Sequence, residues 1–116
     1  MTAAFGEKAL MNEIEGDIEF LEETVAMFVD DTPVLLEEIR SATSSGDTAA
    51  LVKPAHTLKG LLGNFCASPA ENSARKSETM AREGIPDGVQ VELEILDSEV
   101  QRLKEALHQF LQARAT

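Results

Sequence analysis

Seven apolar residues, Val89, Leu93, Leu96, Val100, Leu103, Leu107 and Phe110, recur at alternating intervals of four and three. That interval brings a side chain back to one side of a helix turning every 3.6 residues, whereas a half-buried strand needs alternation by two. The stretch predicts a long amphipathic helix whose single apolar stripe must be covered by other helices.

The same rhythm appears twice more. From Asp17 onward, Leu21, Val25, Phe28, Thr32, Leu35 and Ile39 form a stripe with one polar member. Pro33 lacks a backbone N–H and disfavours helical geometry at Thr32, so a kink or restart near Asp31 is expected within this segment. Ser44-Ser45-Gly46 then marks a turn, and Asp47 is a good N-cap for the next helix. That helix carries Leu51, Ala55, Leu58, Leu62 and Phe65 as its buried set. Pro54 removes the hydrogen bond to the Ala50 carbonyl, which predicts a second kink. Ser68 and Pro69 close it.

A short polar helix follows from about Pro69 to Glu83, with Ala70, Ala74, Ser77, Met80 and Ala81 as inward candidates. So thin a face predicts the weakest packing in the molecule. Gly84-Ile85-Pro86-Asp87-Gly88 reads as a loop, and Gly6 to Glu13 as a short helix lying across one end. No strand-length alternation occurs, so the expected architecture is all-α: an antiparallel four-helix bundle with a short additional N-terminal helix. A chain of 116 residues suits one domain spanning 1–116.

Charge narrows the partners. Twenty-one acidic residues against ten basic ones give a net charge of −11, which repels nucleic acid and anionic membrane surfaces. Cys66 is the only cysteine, and the two histidines, His56 and His108, lie far apart in sequence, so neither a disulfide nor a structural metal cluster is indicated. No apolar run is long enough to span a membrane. These features predict a cytoplasmic protein without membrane insertion, and the start methionine with the compact length favours a freestanding one.

The stretch Ala55-His56-Thr57-Leu58-Lys59-Gly60-Leu61-Leu62-Gly63-Asn64 is the anomaly. Each glycine inside a helix costs roughly 0.5–1 kcal/mol relative to alanine. On a wheel of about 100° per residue, His56, Lys59, Gly60 and Gly63 share one side, while the apolar set lies opposite. His56 is therefore expected to face solvent, its edge bared by the glycines. From Thr48 to Ala70 there is no Asp or Glu, and the only charges are Lys53 and Lys59. An incoming anion should thus meet a neutral or cationic surface.

An exposed imidazole keeps a substantial neutral, nucleophilic fraction at cellular pH. Lys59, three residues on, is close enough to reach an oxygen on whatever that imidazole accepts. Phosphoryl transfer needs little more than in-line positioning and charge stabilisation, provided the partner brings the metal and the leaving group.

His56-Thr57-Leu58-Lys59-Gly60, followed by Gly63 and Asn64, resembles the HxxKG signature of histidine-containing phosphotransfer (HPt) domains of multistep phosphorelays. The similarity extends over most of the chain. It implies a four-helix bundle and His56 as the residue that takes phosphate from a receiver-domain aspartyl-phosphate and passes it to another receiver. It also implies that Lys59 steadies the phosphoryl group, and that Gly60 and Gly63 leave room for the receiver. The implied partners are receiver domains of response regulators and hybrid histidine kinases, met by a monomer with no cofactor of its own; Mg²⁺ is expected on the receiver. Lys53, Asn64 and the apolar Phe20 and Met27 are expected to join the docking surface. Two departures stand out: many members place glycine where Cys66 stands, and larger apolar residues where Ser73 and Ser77 stand, which predicts a looser bundle there.

Two other classes compete with a phosphocarrier. One is a docking bundle that has lost phosphotransfer. The other is a hydrolase or kinase using His56 as a base, for which no phosphate-cradling loop, Ser-His-Asp set or nucleotide signature is present. His108 reads as a solvated surface histidine and Cys66 as a small core residue. The pairs Glu22-Glu23, Asp30-Asp31 and Glu37-Glu38 point apart on their helices and read as solvated faces.

Overall fold

A computed structural model of the chain describes residues 2–84 and 87–114. Five helices follow one another: α1 (Glu7–Glu13), α2 (Ile18–Ser45), α3 (Thr48–Gly63), α4 (Ser68–Arg82) and α5 (Val89–Gln112). The last four form the expected bundle, and no strand occurs among the described residues. Of the predicted loop after α4, Ile85 and Pro86 lie outside the described residues.

The caps follow the sequence signals. Asp17 accepts from the Phe20 N–H at 3.0 Å and opens α2; Asp47 accepts from the Ala50 N–H at 3.1 Å and opens α3. Between them Gly46 adopts φ +71, the left-handed conformation that ends α2 without a side-chain penalty. Cys66 takes a left-handed φ of 54 in the α3–α4 turn, which explains why glycine suits that position. Its carbonyl accepts from the Gly6 N–H at 3.0 Å and ties the N-terminal segment to this turn. Phe5 meets Phe110 edge-on with centroids 5.4 Å apart, so the segment before α1 packs on α5 near its C-terminal end.

Every member of the α5 stripe is buried, as is every member of the α3 stripe. On α2 the stripe differs at one position. Leu36 is buried and Leu35 only partly so, because the two residues flank the stripe's centre on opposite sides and packing draws Leu36 deeper. Neither proline interrupts its helix: α2 runs continuously through Pro33 and α3 through Pro54. In each case the carbonyl deprived of a partner, on Val29 or Ala50, belongs to an exposed residue and can be hydrated.

The expectation for α4 is overturned. Its inward face is Ala70, Ser73, Ala74, Ser77, Glu78 and Ala81, with Met80 only partly buried. Small side chains let α4 lie close along α3, and these two helices share the most extensive contact in the bundle. The serines are not a loose seam. Ser77 donates to the Ser73 carbonyl at 3.0 Å, and Ser73 donates to the buried Glu92 carboxylate of α5 at 2.6 Å.

Candidate functional site

The close approach of α4 to α3 builds a site that the α3 sequence alone does not contain. His56 stands on the outer side of α3 with 62% of its side chain exposed, as its helical position predicts. Glu78 rises from α4 beside it, with only 7% of its side chain exposed. One oxygen of this carboxylate, Oε2, lies 3.0 Å from His56 Nδ1 and 2.8 Å from Arg82 Nη2. The other, Oε1, lies 2.8 Å from Lys59 Nζ.

Lys59 and then Arg82 hold the Glu78 carboxyl down to about 2, against burial that opposes ionisation; the His56 contact adds to their effect. An ionised carboxylate only accepts hydrogen bonds, so the ring must place its proton on Nδ1. In the neutral imidazole this leaves the lone pair on Nε2. The histidine is thus fixed in the tautomer that presents one nucleophilic nitrogen.

One expectation needs correction here. The surface around His56 is not purely neutral or cationic, since Glu78 sits against the ring. The Lys59 side chain is 27% exposed and its ammonium is bound to Glu78. Lys53 and Gly60 are exposed on the histidine side of α3, and Asn64 is exposed at its end.

The two glycines differ. A Cβ on Gly60 would have no neighbour within 4 Å, so this position is open surface. At Gly63 a Cβ would come within 2.7 Å of Glu71 Oε2, so the space its side chain leaves is already taken by a carboxylate of α4. Phe20 and Met27 are 53% and 64% exposed on α2. Phe20, Thr24, Ile14, Gly63, Asn64 and Phe65 line a groove of about 350 Å³ that joins α2 to the end of α3. The structure thus brings Phe20 to Gly63 and Asn64; Met27 does not line this groove.

Glu78 and Arg82 are the members that sequence reading missed. One signal was present: Glu71, Arg75, Glu78 and Arg82 recur at four, three and four residues, a charged stripe on the helix following the histidine. Among the described residues, no group of three or more His, Cys, Asp or Glu side chains is gathered as a metal site would require. No helix there is long and apolar enough to cross a membrane.

Comparison with known proteins bears on this arrangement. The model of the Hpt domain family matches residues 23–113. Among solved structures, histidine-containing phosphotransfer protein B (HptB) from Pseudomonas aeruginosa PAO1 superposes with a TM-score of 0.88 at 22% identity, covering 97% of this chain and 98% of that one. The HPT domain of an Hpt sensor hybrid histidine kinase from Shewanella superposes with a TM-score of 0.77 at 19% identity, covering 97% of each chain. A search of curated protein sequences found no match. At these identities the two structures speak for the fold, and the family match covers most of the chain. With its four-helix bundle, the chain belongs to the Hpt domain family, whose work is histidine phosphotransfer in phosphorelay signalling.

Proposed function

We propose that His56 is the residue that carries the phosphoryl group, accepting it from the aspartyl-phosphate of one receiver domain and delivering it to the aspartate of another. The observation that carries this reading is an exposed ring whose Nδ1 is held by a buried carboxylate, leaving the Nε2 lone pair free. In the forward step Nε2 forms a bond to phosphorus while the bond between phosphorus and the aspartate oxygen breaks, its electron pair leaving on the carboxylate. Delivery reverses these changes on the second receiver.

Lys59, whose ammonium has three donors, supplies positive charge to the phosphoryl oxygens while it stays bound to Glu78. Gly60 leaves the approach open, while Lys53, Gly63, Asn64, Phe20 and Met27 flank the docking surface. The chain brings no metal of its own; the receiver supplies Mg²⁺ along with the reacting aspartate. On this reading the protein is a cytoplasmic, monomeric carrier without independent turnover, serving receivers of response regulators and hybrid kinases.

Incubation with a phosphorylated receiver tests the assignment. An acid-labile, alkali-stable label should appear on His56, and His56→Gln should abolish it while receiver binding remains measurable. A label on another residue, or binding with no label from any receiver of the source cell, rejects His56 as the carrier.

A further inference from the structure

We propose that Glu78 keeps the His56 ring protonated at Nδ1 throughout the phosphorylated state, so that the phosphoryl group can leave without a proton having to move first. The inference rests on His56 being the phosphoryl acceptor and concerns what happens after loading. When Nε2 forms its bond to phosphorus, a ring already protonated at Nδ1 becomes an imidazolium. Delivery then returns the N–P electron pair to Nε2 and releases a neutral imidazole. If the Nδ1 proton is lost in between, the same bond can break only by expelling an imidazolide anion, a far poorer leaving group. Retaining that proton separates a carrier from a sink.

The geometry suits retention. The carboxylate oxygen lies 3.0 Å from Nδ1, is buried, and is kept ionised by Lys59 on one oxygen and Arg82 on the other. Opposite charge at that distance favours the protonated ring. The charged groups at or beside the ring are Glu78 and Arg82 from α4, and Lys59 and Lys53 from α3. Arg82 is bound to the same oxygen as the ring, so its cation partly offsets the carboxylate's pull.

Glu78→Gln separates charge from geometry, because the amide oxygen can still accept from Nδ1. The full chain is loaded with phosphoramidate, and ³¹P and ¹⁵N resonances of the phosphorylated ring are followed against pH. In Glu78→Gln the midpoint of ring protonation should fall by about one unit, and at pH 7.5 the phosphohistidine should hydrolyse and transfer to a receiver several-fold more slowly than in the wild type. Arg82→Gln, at an exposed side chain, should move the midpoint upward. Opposite shifts from two neighbouring substitutions are not what a loss of stability produces. Midpoints unchanged in both variants, with the wild type labelled on His56, overturn the proposal for Glu78 and leave the carrier assignment standing. Absence of any label on wild-type His56 overturns the assignment itself.

Discussion

Replacing Gly60 should make the protein more stable and, with a larger side chain, less active. Gly60 lies inside α3, and a Cβ there meets nothing within 4 Å, so alanine adds helix propensity without a clash. The gain is the propensity difference of roughly 0.5–1 kcal/mol. For a chain of this length the unfolding entropy converts that gain into a rise of about 2–4 °C in Tm. Gly63→Ala is the internal control. Its Cβ would displace the Glu71 carboxylate, a side chain only 30% exposed, so its gain should be smaller than at Gly60 and should recover when Glu71→Ala is added. Gly60→Gln keeps most of the stability gain but places a long side chain next to His56 on the same surface, and phosphoryl transfer from a receiver should drop at least tenfold. Thermal unfolding with stopped-flow transfer assays on the same variants measures both effects. A lower Tm for Gly60→Ala, or wild-type transfer by Gly60→Gln, would refute the view that this glycine is retained for access at the expense of stability.

Two further outcomes follow from buried carboxylates. Ser73→Ala removes the hydroxyl that donates to Glu92 at 2.6 Å and leaves a buried acid without that partner, which should lower stability by about 1–3 kcal/mol in urea unfolding with an unchanged slope. Glu78 is held at about 2, below its ordinary 4.5, so its ion pairs stabilise the fold at every pH above about 4.5, and that contribution is lost as pH falls through about 2. The stability difference between wild type and Glu78→Gln should be on the order of 2 kcal/mol near neutral pH, reduced from the full linkage value by the exposure of His56 and Arg82, and should close between pH 4.5 and 2. A difference that persists undiminished at pH 2 would contradict the ion-pair account.

What the sequence determined by itself was whatever depends on one helix at a time. The stripes of α3 and α5, the caps at Asp17 and Asp47, and the outward placement of His56 opposite Leu58 and Leu62 all follow from a 3.6-residue period acting on the burial of apolar side chains. The open surface at Gly60 was legible for the same reason. What only the tertiary structure decided were relations between helices. Glu78 looks like one more solvated acid until the small residues of α4 bring it against α3, where it accepts hydrogen bonds from His56 Nδ1 and the Lys59 ammonium together. Gly63 reads as a second opening but faces the Glu71 carboxylate, because helix periodicity places a residue on a side and does not say which neighbour occupies it. Leu36 lies deeper in the core than Leu35 by the same logic, since choosing between two flanking positions depends on the shape of the partner surface. Distance between chain segments is set by packing volume summed over facing side chains, a quantity that no single segment encodes.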